Sequence, residues 1–250
     1  MIPIRDDIPT KHPPVVTIVL IALNVLAFLW QLSGDSFQGR LFELAAVPAN
    51  IVGSEKAPIV YVEVPSQLAV RMNKPYSPFV SEADAREIPA SLGVTVYEQP
   101  IPAWMTILTS MFLHGGFGHL LFNMLFLWIF GNNIEDACGR LRFVLFYLAT
   151  GVVATLAHVF SEAGSPIPTI GASGAISGVL GGYLLLYPHA RVLTVIPFFF
   201  LYLAHLPAKV FLLLWFANQF LGLFGGGGVA WWAHIGGFVA GLALIKLFES

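Results

Sequence analysis

The chain has 250 residues, of which 57% are hydrophobic and 10% charged, with a net charge of −2 and a mean hydropathy of +0.78. A soluble domain carries about 25% charged residues, so this composition excludes an ordinary soluble domain and indicates an integral membrane protein. Apolar runs of helix-spanning length make the expected class all-α. The charge balance offers nothing to nucleic acid, and the single cysteine, Cys138, excludes an intrachain disulfide.

Residues 1–14 are polar and proline-rich and read as a tail. Val15–Leu32 is an apolar run long enough for a first, uncleaved membrane helix. Residues 33–100 hold most of the acidic residues and several prolines, and read as a hydrophilic insertion with short strands at IVYVEV and GVTVYE. The remaining 101–250 form the membrane core. Trp104–His114 is amphiphilic and too short to cross a bilayer, which suits an interfacial or re-entrant element. Further spans are expected at Phe117–Ile134, Leu141–Phe160, Thr169–Tyr187, Val210–Phe224 and Val229–Phe248. Cys138 falls in the loop after the second span. Val192–His205 reads as an interfacial or partly inserted lead-in to the fifth, and the glycines of 225–228 as a flexible turn.

Six spans put both termini on one side. Arg5, Lys11, Arg140, Arg142, Arg191, Lys209 and Lys246 all fall on that side, whereas the opposite short loops carry no Lys or Arg. Both termini are therefore expected in the cytoplasm, with the insertion outside. The lack of an Arg-rich transit sequence favours a bacterial plasma membrane.

In this topology spans two, four and six descend from the outer face. Each carries polar residues just after its start: His119 and Asn123, then Ser173, then His234. Such residues are costly in a bilayer and normally face the bundle interior and mark function. His119 and Asn123 share a helix face, and Gly174, Gly178 and Gly182 form a smooth face on span four. Gly237 and Gly241 share the face of His234 and would press span six onto that smooth face, bringing His234 to Ser173. The cluster lacks the carboxylates or thiolates of a stable zinc site, so no metal is expected. A serine beside a histidine fits nucleophilic acyl transfer. The Ser173 N–H near a helix N-terminus, the Asn123 amide and the His119 imidazole are available as oxyanion donors.

These residues resemble the rhomboid family of intramembrane serine proteases. Gly171-Ala172-Ser173-Gly174 matches its GxSG motif, and His119-x-x-x-Asn123 matches its second span. Ala233-His234-x-x-Gly237-x-x-x-Gly241 matches its last span, and Glu135 with Gly139 fits an E-x-x-x-G turn. The resemblance implies a six-helix rhomboid-like bundle and a Ser173–His234 dyad, with His119 and Asn123 stabilising the oxyanion. It also implies cleavage of transmembrane protein substrates near the outer leaflet, without a cofactor. Two positions depart from the family pattern. Trp104 is followed by Met105 where many relatives have arginine. Ser177 stands four residues after the nucleophile, where some relatives stack an aromatic ring on the histidine. The positioning of His234 is therefore expected to rest on helix packing or another ring. Glu135 is expected to tie down the turn after span two, His114 to anchor a loop or touch the site, and His158, His189 and His205 to be interfacial. Trp128, Trp215, Trp231 and Trp232 are expected as membrane anchors. An escort protein without catalysis, or a channel lined by the polar residues, are the competing readings.

Overall fold

The computed structural model describes residues 1–53, 58–63, 78–88, 90–197, 201–225 and 228–249. In chain order the elements are β1 (Ile2–Arg5), α1 (Val15–Leu32), α2 (Phe37–Leu44), α3 (Pro48–Val52), β2 (Ile59–Glu63), β3 (Phe79–Ser81) and β4 (Thr95–Tyr97). Then come α4 (Ala103–Phe112), α5 (Phe117–Cys138), α6 (Arg140–Ser161), α7 (Ser173–Leu186), β5 (Arg191–Pro197), β6 (Leu201–Pro207), α8 (Ala208–Gly225) and α9 (Trp231–Phe248). Among the described residues α1, α5, α6 and α9 are long and apolar enough to cross a membrane, and α4, α7 and α8 are shorter apolar helices. The protein is a multi-pass membrane protein, mostly helical.

Helix α1 shows what a lipid solvent does to helix patterning. Its buried stripe, at helical spacing, is Thr17, Leu20, Asn24, Phe28 and Gln31, three of them polar. Its exposed face is Ile18, Val19, Leu23, Leu26 and Leu29. In water the polar residues would face out; here they turn inward to partners, as polar groups in a bilayer must. Gln31 donates through Nε2 to the His114 carbonyl and accepts from the His114 N–H, both at 3.1 Å.

The core is built on α7, whose residues Gly174–Tyr183 are all buried. The expected Gly174–Gly178–Gly182 face receives two neighbours. A Cβ would meet Ala154 of α6 at Gly174, Thr150 of α6 at Gly178, and both Ile245 of α9 and Phe146 of α6 at Gly182, so α6 and α9 share the smooth face. Helix α9 comes closest through its own glycines, as expected. A Cβ on Gly237 or Gly241 would run into the carbonyl oxygens of Gly174 and Gly178. The two backbones touch, which only glycine permits. Helix α7 is also shorter than the expected Thr169–Tyr187. Thr169 pairs in an antiparallel bridge with Ala46, and the helix starts at Ser173.

Three further expectations are corrected. The tail contains β1, which pairs antiparallel with β5. The run at 192–205 is extended rather than helical, for β5 and β6 pair antiparallel and complete a sheet of order β1-β5-β6. An apolar run with alternating polarity fits helix or strand, and the β1 partner decides it. Cys138 is buried at the end of α5, not in a loop. Residues 226 and 227 of the expected glycine turn lie outside the described residues. The second sheet, β3-β2-β4, belongs to the segment between α1 and α4, with β2 and β4 at the two strands expected there and β3 in addition. It packs Tyr61, Phe79 and Tyr97 on Phe42, Val47 and Ala49. The chain is thus a helical bundle with two small sheets rather than all-α.

The bundle has two ends. His119, Ser173 and His234 gather at one, where α5, α7 and α9 begin. At the far end Asp6 Oδ2 accepts from Tyr183 Oη of α7 and Asn133 Nδ2 of α5, both at 2.5 Å. Burial raises the Asp6 carboxyl above its ordinary range. Glu135 accepts from Val16 N–H, Thr17 N–H and Thr17 Oγ1 at 2.8–2.9 Å. It caps α1, which Pro14 leaves without a side-chain cap, more than it ties its own turn.

Candidate active site

Ser173 is the first residue of α7, set there by a loop that is held on several sides. Gly171 N–H donates to the Ser110 carbonyl of α4 at 2.8 Å. Thr169 exchanges two backbone bonds with Ala46, and Ala49 N–H donates to Ser165 O. Gly171 has φ +115, where side chains rarely fit, and a Cβ there would stand 2.8 Å from His119 Cε1. Glycine is required twice over. The first helical bond of α7 runs from Ile176 N–H to Ala172 O. The Ser173 N–H therefore lies among the first-turn donors that have no helical acceptor.

His234 sits in the first turn of α9 with Nε2 2.8 Å from Ser173 Oγ. Its Nδ1 lies 2.8 Å from Oε1 of Gln219 on α8. The Trp215 ring lies tilted at 6.0 Å from the imidazole, and the Trp231 ring edge-on at 6.0 Å. Ser177, in the place of an aromatic, donates its hydroxyl to the Ser173 carbonyl at 2.6 Å. Two other rings do flank His234, Trp215 from α8 and Trp231 from α9, and both line the same cavity.

His119 and Asn123 lie one turn apart on α5 and line the same cavity as Ser173 and His234, a space of about 790 Å³. His119 Nδ1 accepts from Gly115 N–H at 3.3 Å, which leaves the ring proton on Nε2, the nitrogen that faces Gly171. Asn123 Nδ2 donates to the His119 carbonyl at 2.8 Å, and its second N–H is available. His114 stands behind this pair, its ring centroid 5.1 Å from that of His119. Burial, and then the neighbouring His119, push the His114 imidazole down to about 4, so it is neutral at pH 7. His158, in the last turn of α6, also lines the cavity, and Glu162 stands beside it at the loop.

The structure brings Ser173, His234, His119 and Asn123 to one cavity, with Gly171 under the loop and Gly174, Gly237 and Gly241 at the α7–α9 contact. Sequence reading missed Gln219. Its signal was the amide pair Asn218-Gln219 inside an apolar helix, since polar residues in such a helix are functional candidates by cost alone. The sequence model of the Rhomboid domain matches residues 102–249, more than half of the chain. The chain belongs to the rhomboid family. Over 82 residues the chain is 48% identical to the rhomboid protease GluP of Bacillus subtilis, covering 32% of this chain and 15% of that protein. The mitochondrial Rhomboid protein 1 of Saccharomyces cerevisiae is 36% identical over 93 residues, covering 36% of this chain and 27% of that protein. RHOMBOID-like protein 4 of Arabidopsis thaliana is 36% identical over 146 residues, covering 55% and 32%. The rhomboid chain described here spans less than half the length of these relatives.

Proposed function

We propose that this rhomboid chain is an intramembrane serine endopeptidase that cuts transmembrane proteins near the outer leaflet. The observation that carries the reading is the 2.8 Å contact between Ser173 Oγ and His234 Nε2 inside a cavity of a membrane-embedded bundle. Ser173 Oγ attacks the scissile carbonyl carbon as its proton passes to His234 Nε2. The carbonyl electrons move onto oxygen. That oxyanion takes hydrogen bonds from Ser173 N–H, His119 Nε2–H and the free Asn123 N–H. Collapse expels the amine, which leaves with the proton from His234. Water then repeats the sequence on the acyl-serine.

Helix α7 has 14 residues and reaches about 21 Å, less than the roughly 30 Å of a bilayer core. The loop before it makes up the difference, so Ser173 lies recessed below the surface, where water enters through the cavity. With α1, α5, α6, α7, α8 and α9 as six spans, the basic residues Arg5, Lys11, Arg140, Arg142, Arg191, Lys209 and Lys246 all fall at the far end. Both termini are then cytoplasmic, and the segment 33–100 faces outward. A helical carbonyl is already bonded, so substrates need glycine or proline near the cut to unwind into the site.

The test is cleavage of a single-span reporter in liposomes by wild type and by a folded Ser173→Ala variant. Cutting that disappears in the variant supports the reading. Equal cutting by both makes Ser173 a packing residue and overturns it. No cutting by either, across several reporters, favours an escort role.

A further inference from the structure

We propose that Gln219 is the positioning residue for the Ser173–His234 pair, fixing His234 in the tautomer that leaves Nε2 free to receive the serine proton. The proposal rests on the protease reading and deepens it.

Gln219 is 2% exposed and sits on α8 one turn beyond Trp215. Its Nε2 lies 2.6 Å from the Trp215 carbonyl oxygen. A carbonyl only accepts, so the amide end facing it must be the NH2 group. The other end, Oε1, then faces His234 Nδ1 at 2.8 Å. An amide oxygen has no proton to give, so Nδ1 must carry the hydrogen. Neutral imidazole has one N–H. With that hydrogen on Nδ1, Nε2 presents a lone pair, and it is Nε2 that stands 2.8 Å from Ser173 Oγ.

The same contact serves when the serine proton arrives. The imidazolium holds two N–H groups, and Gln219 Oε1 still accepts the one on Nδ1. Glu162, the carboxylate among the described residues lining the cavity, makes no hydrogen bond to His234. The acceptor role in a serine–histidine–carboxylate site is filled here by an amide. Trp215 adds the orientation of the ring plane. Because Trp215 and Gln219 occupy one turn, α8 delivers the ring contact and the amide contact together. Ser177 has its hydroxyl engaged by the Ser173 carbonyl and supplies neither.

The test compares wild type, Gln219→Met, Gln219→Glu and Ser173→Ala in liposomes, reading kcat and KM with the single-span reporter. Methionine keeps the volume and removes the acceptor, so kcat is expected to fall on the order of 10- to 100-fold with KM within about twofold. Glutamate restores an acceptor, and its kcat is expected to lie well above that of Gln219→Met. A packing role would be kept by methionine as well as by glutamate, and would leave kcat of Gln219→Met near that of wild type. A Gln219→Met protein with wild-type kcat, or a Gln219→Glu protein no better than Gln219→Met, overturns the proposal. If either variant does not fold, nitrogen NMR of ¹⁵N-histidine-labelled wild type decides, with the His234 signals assigned by their loss in His234→Ala. A protonated Nδ1 and bare Nε2 support the proposal, and the reverse pattern overturns it. Ser173→Ala separates the two levels. If it cuts like wild type, the protease reading itself fails; if it is inactive while Gln219→Met is not, only the role of Gln219 falls.

Discussion

The bundle has two unlike walls. In one, α6 and α9 approach α7 through glycine, with Gly237 and Gly241 against the carbonyls of Gly174 and Gly178. In the other, α8 meets α5 and α9 through large rings and one amide. Phe216 stacks on Phe238 at 4.3 Å, Phe211 stacks on Phe130 at 6.0 Å, and Gln219 reaches His234. The glycine wall sets distance, because backbone contact leaves no slack. The ring wall sets orientation, because it grips the imidazole from the side. A serine–histidine pair needs both, and this chain obtains them from different helices.

The largest expected effect comes from breaking the glycine wall. Gly241→Val places side-chain atoms where the Gly178 carbonyl stands, with backbone on both sides and nothing that can swing away. Overpacking costs typically 1–3 kcal/mol and more when backbone must move. Thermal unfolding in detergent should show a clear drop, and reporter cleavage should be lost. Gly171→Ala comes next. The residue must hold φ +115 beside His119, a strain of about 1–3 kcal/mol. It should reduce kcat strongly while the helices α1 and α5–α9 stay folded, as circular dichroism would report.

The ring wall should respond differently. Phe216→Leu gives up two aromatic pairs, with Phe238 and Phe220, each worth about 0.5–1.5 kcal/mol, and should lower the unfolding temperature by less than Gly241→Val does. A loss as large as that of Gly241→Val would mean the two walls are not distinct in kind.

The far end sharpens the contrast because its polar groups are structural. Glu135→Ala leaves the α1 donors of Val16 and Thr17 unpaired. Hydrogen bonds to a charged group contribute about 1.5–3 kcal/mol, so stability should fall, with kcat of the folded fraction unchanged. Asp6→Asn should have the smallest effect. Both bonds to Asp6 fall on Oδ2, and an asparagine Oδ1 can accept the same two. Since burial raises the Asp6 carboxyl, the protonated form is the one that folding favours. Its contribution is present below the unfolded value near 3.8 and is lost as pH rises through the raised folded value. Wild type should therefore lose stability relative to Asp6→Asn over that rise, measured by unfolding temperature against pH.

Much of this arrangement is readable from the chain. Spans announce themselves by length and hydropathy, and polar residues inside them are rare enough that His119, Asn123, Ser173 and His234 stand out. What the pattern cannot carry is direction around a helix axis once three neighbours compete. Gly174, Gly178 and Gly182 mark a close approach without saying that α6 and α9 share it. Gln219 has no spacing partner in sequence; its meaning comes from the distance between two helices. The β5–β6 hairpin reads as an apolar run because its deciding partner, β1, lies almost 190 residues away. Trp215 and Trp231 look like lipid anchors because that is the commoner use of tryptophan in a span, and here the imidazole lies between them.

The most direct test of the central claim is covalent labelling with a fluorophosphonate, in which the serine oxygen displaces fluoride from phosphorus. The account predicts a single adduct on a peptide containing Ser173, formed in wild type and abolished in a folded His234→Ala. Labelling at another serine, or undiminished labelling of Ser173 without His234, would contradict it.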